Sequence, residues 1–190
     1  MGKSEVARIL RSEGIAVFDS DAEVHKLYDS KEGADLIRRQ IPEAVVNDRV
    51  DRQILSAQVL RDPKLLSYLE KKVHKEIRKR RDHFLIDQNK LGCDFAALDI
   101  PLLFETDSDK QVDVVLVVSS RPEIQLSRAL ARLGMTSEKL KLIMARQMPD
   151  VEKRKRADFI IENNGSLNDL KRSVLSVIDQ LKRRDRNLSK

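Results

Sequence analysis

The chain has one cysteine and no tryptophan in 190 residues, and aromatics make up only 4% of it. A single thiol closes no internal disulfide and builds no thiolate metal site, so Cys93 reads as a structural residue in a reducing compartment. No apolar run approaches the roughly 18 to 20 residues that a membrane-spanning helix needs. The first residues also lack the apolar core of a secretory signal. These absences point to a soluble, cytoplasmic protein with no membrane partner. The scarcity of aromatics and the lack of a stacking or recognition-helix motif argue against nucleic acid. There is no internal repeat and no low-complexity tract. Charge, by contrast, is abundant: 37 Lys and Arg against 31 Asp and Glu give a net +6, with 36% of residues charged. That excess attracts nucleotides, phosphorylated metabolites and nucleic acid alike, and composition does not choose among them.

Four short apolar runs, 15–18, 95–100, 112–118 and 159–161, are continuous rather than alternating, as strands covered on both faces of a parallel sheet are. Helical spacing fills the intervals. Val6, Ile9 and Leu10 share one face of 4–11, and Leu170, Val174, Val177, Ile178 and Leu181 share one face of 167–181. This alternation predicts an α/β fold with right-handed crossovers. Two stretches are too long for ordinary loops. Residues 28–90 carry only helical patterns, with no convincing strand. Residues 121–156 hold two or three short helices dense in Arg and Lys. Insertions of this kind on a parallel sheet carry substrate contacts or a lid. The last residues, 182–190, read as a frayed basic tail.

Gly2-Lys3-Ser4 before an amphipathic helix matches the second half of the phosphate loop G-x-x-x-x-G-K-[ST]. In that loop backbone N–H groups cradle phosphates, the Lys reaches β/γ oxygens and the hydroxyl binds Mg²⁺. The alternative is an ordinary helix start. The strand 15–18 then leads into Asp19-Ser20-Asp21, two acids at the carboxyl end of a parallel strand, where such sheets bind ligands. Either acid is suited to take a proton from a substrate hydroxyl or to hold a metal-bound water, and either could instead cap the next helix.

With these residues in place the sequence resembles the dephospho-CoA kinase family. The resemblance runs through Gly2-Lys3-Ser4, Asp19-Ser20-Asp21, Pro101-Leu102-Leu103-Phe104-Glu105, Gln125-x-x-Arg128-x-x-x-Arg132, Gln147, and Lys153 through Ala157-Asp158 to Asn163-Asn164-Gly165-Ser166. It implies a P-loop NTPase-type parallel sheet flanked by helices. Residues 1–29, 91–120 and 157–190 would form the nucleotide-binding core, 30–90 a helical CoA-substrate insertion and 121–156 a helical lid. The implied activity is ATP-dependent phosphorylation of the ribose 3′-hydroxyl of dephospho-CoA, giving CoA and ADP, with Mg²⁺ as the metal.

The resemblance also assigns roles. Asp21 is the base, with Lys3 and Asp19 as its catalytic partners. Gly2, Lys3, Ser4, Arg132, Gln147, Lys153, Asn164 and Gly165 bind ATP. His74, Pro101, Leu102, Leu103 and Glu105 face the acceptor. Ser4 ligates Mg²⁺, and Asp19 does so through water. The expected assembly is a monomer or weak homo-oligomer. Of the lid cations, Arg146, Arg154, Lys155 and Arg156 read as a solvated face.

Two departures stand out. Met1 directly precedes Gly2, so the first strand and the first half of the phosphate loop are missing. The expectation is a misassigned start or a truncation, with strand 15–18 short of ladder partners. Glu5 stands where the family has Thr or Ser, close to phosphates. Two other readings compete: another small-molecule P-loop kinase for nucleosides or nucleotides, and a catalytically impaired basic binding protein.

Overall fold

In the computed structural model, residues 2–131 and 133–188 are described. Helix and strand alternate as α1 (Lys3–Ser12), β1 (Val17–Asp19), α2 (Ser20–Tyr28), α3 (Lys31–Arg38), β2 (Val45–Val46), β3 (Arg49–Val50), α4 (Arg52–Val59), α5 (Pro63–Lys90) and β4 (Ala97–Asp99). The order continues with β5 (Leu116–Ser119), α6 (Pro122–Leu130), α7 (Ser137–Ala145), α8 (Asp150–Lys155), β6 (Phe159–Glu162) and α9 (Leu167–Leu188). Among the described residues the strands pair as β1 with β4, β2 with β3 and β5 with β6. The chain divides into two units, Met1–Val17 with Pro101–Lys190, and Phe18–Ile100.

The first unit is organised around the parallel pair of β5 and β6, in register from Leu116 opposite Phe159 to Ser119 opposite Glu162. Helix α1 buries Val6, Ala7 and Ile9 and packs on α9, which buries Leu170, Val174, Val177 and Ile178. Each of these Val, Leu and Ile side chains contributes roughly 1.5 to 3 kcal/mol of burial. Ser166 and Asp169 start α9 with a reciprocal cap. The Asp169 carboxylate accepts from the Ser166 N–H at 2.9 Å and hydroxyl at 2.7 Å, and the Ser166 Oγ accepts from the Asp169 N–H at 3.2 Å. A second apolar cluster joins Phe104, Val115 and Val117 to Leu103, Val112, Met148 and Ala157, and the Arg156 guanidinium lies 4.8 Å above the Phe104 ring.

The second unit holds β1 from Phe18 onward, β4 and the helices between them. Phe18, Leu27, Val73 and Ile77 form one core, with the Phe18 and Phe84 rings 5.5 Å apart, and Ile37, Ile41, Ala44, Val50, Leu55 and Leu69 form another. Each of the helices α3, α4 and α5 is capped by the side chain of Ser30, Asp51 or Asp62, which accepts N–H groups from its first turn.

Several expectations need correction. Strands β1, β4 and β5 are shorter than the apolar runs that predict them, while β6 extends one residue past its own. At 112–115 the reason is visible: the Val115 N–H is taken by the Asp158 side chain at 2.7 Å, and its carbonyl accepts from the N–H groups of Asp158 and Phe159, so the ladder starts only at Leu116. The stretch 28–90 does contain strand. Val45 and Val46 pair with Val50 and Arg49 through a two-residue turn in which Asn47 and Asp48 have φ of 49° and 55°. Asn and Asp tolerate that left-handed backbone, as such hairpins need. The tail is helical through Leu188, supported by an Arg183–Asp179 pair at 2.8 Å. Cys93 is exposed and packs no core.

Candidate functional site

Helix α1 opens on Gly2, whose φ of 109° is left-handed and whose N-cap position carries no side-chain cap. The Gly2 carbonyl accepts from the N–H groups of Glu5 and Val6 at 3.1 Å each. Lys3 and Ser4 are exposed in the first turn. An uncapped helix start with a glycine before it offers oriented N–H groups and a positive dipole end to an anion. Glu5 does not oppose that field alone. Arg8 donates to its carboxylate through Nε at 2.9 Å and Nη2 at 2.5 Å, and this contact holds the Glu5 pKa below the ordinary carboxylate value.

Gly2 sits against the carboxyl ends of β5 and β6. A Cβ built on it would overlap the Asn163 side-chain amide, lie 3.3 Å from Asn163 Cγ and touch Val118 at 4.0 Å. Asn163 is buried, its N–H donates to the Ser119 carbonyl at 2.8 Å and its carbonyl accepts from Arg128 Nη1 at 2.9 Å. The Asn164 Oδ1 accepts from the Arg121 N–H at 2.7 Å. Gly165 lies so close to Asp169 that a Cβ there would come 2.6 Å from Oδ2. Gly2, Asn164 and Gly165, assigned to ATP from sequence, therefore fall together with Asn163 in one unit at one end of the parallel pair.

Further residues at this end escaped the sequence reading. Arg128, quoted only as part of a spacing, ties α6 to the loop after β6. Ser119 donates to Asp150 Oδ2 at 2.6 Å, joining the end of β5 to the start of α8, while Asp150 Oδ1 and Ser120 Oγ are buried without a hydrogen-bond partner. A Ser-Ser pair ending an apolar strand was the available signal.

The end of the 121–156 segment is fixed by Glu105. Its Oε1 accepts from the Met148 N–H at 2.6 Å and lies 3.3 Å from Lys153 Nζ, and its Oε2 is buried with no partner. Burial opposes ionisation of this carboxyl, but the Met148 N–H and the Lys153 ammonium outweigh it, so its pKa falls below the usual value. Gln147, half-buried, immediately precedes Met148. Arg132 lies outside the described residues. Of the expected solvated face, Arg146, Lys155 and Arg156 are exposed and Arg154 is half-buried, and three of the four carry ion pairs: Arg154 with Glu162 at 2.5 Å, Lys155 with Glu152 at 2.8 Å, and Arg156 with Asp109 as it stacks on Phe104.

In the second unit, the Asp19 carboxylate accepts from the Ala22 N–H at 3.0 Å and so caps α2, while Asp21 is exposed in that helix's first turn. His74 is exposed on α5. In the first unit Pro101 and Leu102 are exposed and Leu103 is half-buried. Among the described residues no cluster of three or more His, Cys, Asp or Glu side chains is placed to hold a metal, and no helix is long and apolar enough to cross a membrane.

The sequence model of the dephospho-CoA kinase family matches residues 1–169. A dephospho-CoA kinase of Rhodopseudomonas palustris is 43% identical over 179 residues, which span 94% of this chain and 89% of that protein. One of Brucella melitensis is 44% identical over 181 residues, 95% of this chain and 90% of its own. Among solved structures, the Thermus thermophilus protein TT1252 superposes with a TM-score of 0.78 at 39% identity, covering 95% of this chain and 92% of that one. The dephospho-CoA kinase of Campylobacter jejuni gives 0.73 at 26% identity, covering 97% and 93%.

Proposed function

The chain belongs to the dephospho-CoA kinase family, and from that premise we propose that it transfers the γ-phosphoryl group of ATP to the ribose 3′-hydroxyl of dephospho-CoA, yielding CoA and ADP. The family match over 1–169 carries this reading. Its α/β fold with a parallel strand pair is that of the structural neighbours, and it serves as an enzyme of the kinase class that uses ATP.

The assignment of residues carries over the motif positions of that family. The first turn of α1, with Gly2, Lys3 and Ser4, receives the phosphates, Lys3 neutralising charge that builds on the β/γ oxygens. Asn164 and Gly165 form the loop for the adenine, and Arg132, Gln147 and Lys153 act from the 121–156 lid. A bound Mg²⁺ would supply positive charge to offset that of the phosphates. The exposed Ser4 hydroxyl is the protein ligand that fits it, and Asp19 is the residue that would hold one of its waters. Asp21, exposed and acceptor-only when ionised, takes the proton from the ribose hydroxyl as it attacks. The segment 30–90, with His74, together with Pro101, Leu102 and Leu103, serves the acceptor. The protein works in the cytoplasm as a monomer or weak homo-oligomer and does not bind nucleic acid or membranes.

The test is ADP release with Mg·ATP and dephospho-CoA beside a panel of nucleosides and nucleotides. Turnover confined to dephospho-CoA supports the reading. Turnover of a nucleotide in its place would make the protein a different small-molecule kinase.

A further inference from the structure

The sequence reading gave Glu105 to the acceptor and Lys153 and Gln147 to ATP, yet the structure joins them at one carboxylate. Oε1 of Glu105 holds the Met148 N–H at 2.6 Å and lies 3.3 Å from the Lys153 ammonium, and both of these charged side chains are largely buried, with 17% and 12% of their surface exposed. Gln147 is the residue before Met148, and Pro149 and Asp150 lead from it into the short helix that carries Lys153. A single oxygen thus fixes the backbone between two lid residues and the charged end of one of them. Phe104, next to Glu105, is buried in the cluster that also receives Met148, so the carboxylate has a rigid base. A buried charge-assisted hydrogen bond of this kind is strong and geometrically selective.

We infer that Glu105 is a positioning residue for the nucleotide side of the reaction. It sets the place of Gln147 and the reach of Lys153, and does so without touching the acceptor. The inference rests on the assignment of Lys153 to ATP given above.

Glu105→Gln keeps an amide oxygen for the Met148 N–H and removes the countercharge of Lys153. In steady-state kinetics the KM for ATP rises about 5 to 10-fold, the KM for dephospho-CoA stays within about two-fold, and the double variant with Lys153→Met is no worse than Lys153→Met alone. Merely structural damage would add to Lys153→Met instead. A rise confined to the KM for dephospho-CoA, or additive losses, would overturn the inference. If Lys153→Met leaves the KM for ATP unchanged, the assignment of Lys153 falls, and the inference with it. The unsubstituted chain supplies a measurement that survives a misfolded variant. The carbon-13 resonance of the Glu105 carboxylate shifts on addition of a non-hydrolysable ATP analogue and stays still with dephospho-CoA, and the reverse pattern overturns the positioning role.

Discussion

Gly2→Ala isolates what the glycine before α1 does. Two separate penalties follow from its surroundings. A φ of 109° lies in the left-handed region, where a non-glycine residue costs roughly 1 to 3 kcal/mol. The added methyl also overlaps the Asn163 amide and comes 3.3 Å from its Cγ, and overpacking of that kind costs typically about 1 to 3 kcal/mol. The sum, about 2 to 6 kcal/mol, is a large share of the roughly 5 to 15 kcal/mol that holds a domain folded.

The two parts separate in a cycle with Asn163→Ala. Removing the amide relieves the overlap and leaves the dihedral strain, so Gly2→Ala costs less in the Asn163→Ala background by about 1 to 3 kcal/mol. Urea unfolding at constant m-value reads each difference as a shift of the midpoint, and binding of a non-hydrolysable ATP analogue reads the loop. A midpoint unchanged by Gly2→Ala, or a coupling under about 0.5 kcal/mol, would refute the packing of Gly2 on the end of β6.

Asp21→Asn leaves binding of the ATP analogue nearly intact and lowers turnover by about 10²- to 10⁴-fold, the range for loss of a general base; wild-type turnover in this variant removes Asp21 from that role. Gly33→Ala destabilises the second unit, because its Cβ would come 2.6 Å from the backbone carbonyl carbon of Leu27, which cannot swing aside as a side chain can; an unchanged melting curve contradicts that close approach. The Asp169 carboxyl has its pKa lowered to about 2 by the Ser166 hydroxyl and N–H and then by Arg172, against about 3.9 in an unfolded chain. A depressed folded pKa gives stability that is present above about pH 4 and is lost as the pH falls toward 2. The stability gap between the parent and Asp169→Asn therefore closes over that interval, and a gap independent of pH refutes the cap.

How much was legible beforehand depended on the kind of interaction. The faces of α1 and α9 were written in their apolar spacing, and burial of Val6, Ile9, Leu170, Val174, Val177 and Ile178 follows it. The hairpin of β2 and β3 was missed because two residues per strand are too few for a period, and its turn uses Asn47-Asp48 in place of a glycine pair. The start of β5 was overrun because a side chain takes a backbone group from the ladder, as Asp158 does at Val115. Within the site, Gly2 and the loop 163–165 could be found because backbone geometry constrains residue type locally. Arg128 holding the Asn163 carbonyl, Ser119 donating to Asp150, and Glu105 reaching Met148 join residues 31 to 43 positions apart, a span no local pattern reports.

Charge shows the same division in a form that bears on catalysis. Read alone, Glu5 one residue after the phosphate-loop hydroxyl argues against efficient binding, since an anion there opposes the phosphates. The structure places Arg8 on that carboxylate through two nitrogens. The pair itself is exposed and adds little to stability. Its effect is on the field: a neutralised Glu5 leaves the helix dipole and Lys3 to act on the anion. Arg8→Gln should therefore weaken ATP by uncovering Glu5, and Arg8→Gln combined with Glu5→Ser should restore it, although neither residue is assigned a contact with nucleotide. If the double variant binds the ATP analogue no better than Arg8→Gln alone, Arg8 acts on the nucleotide directly and the screening argument fails.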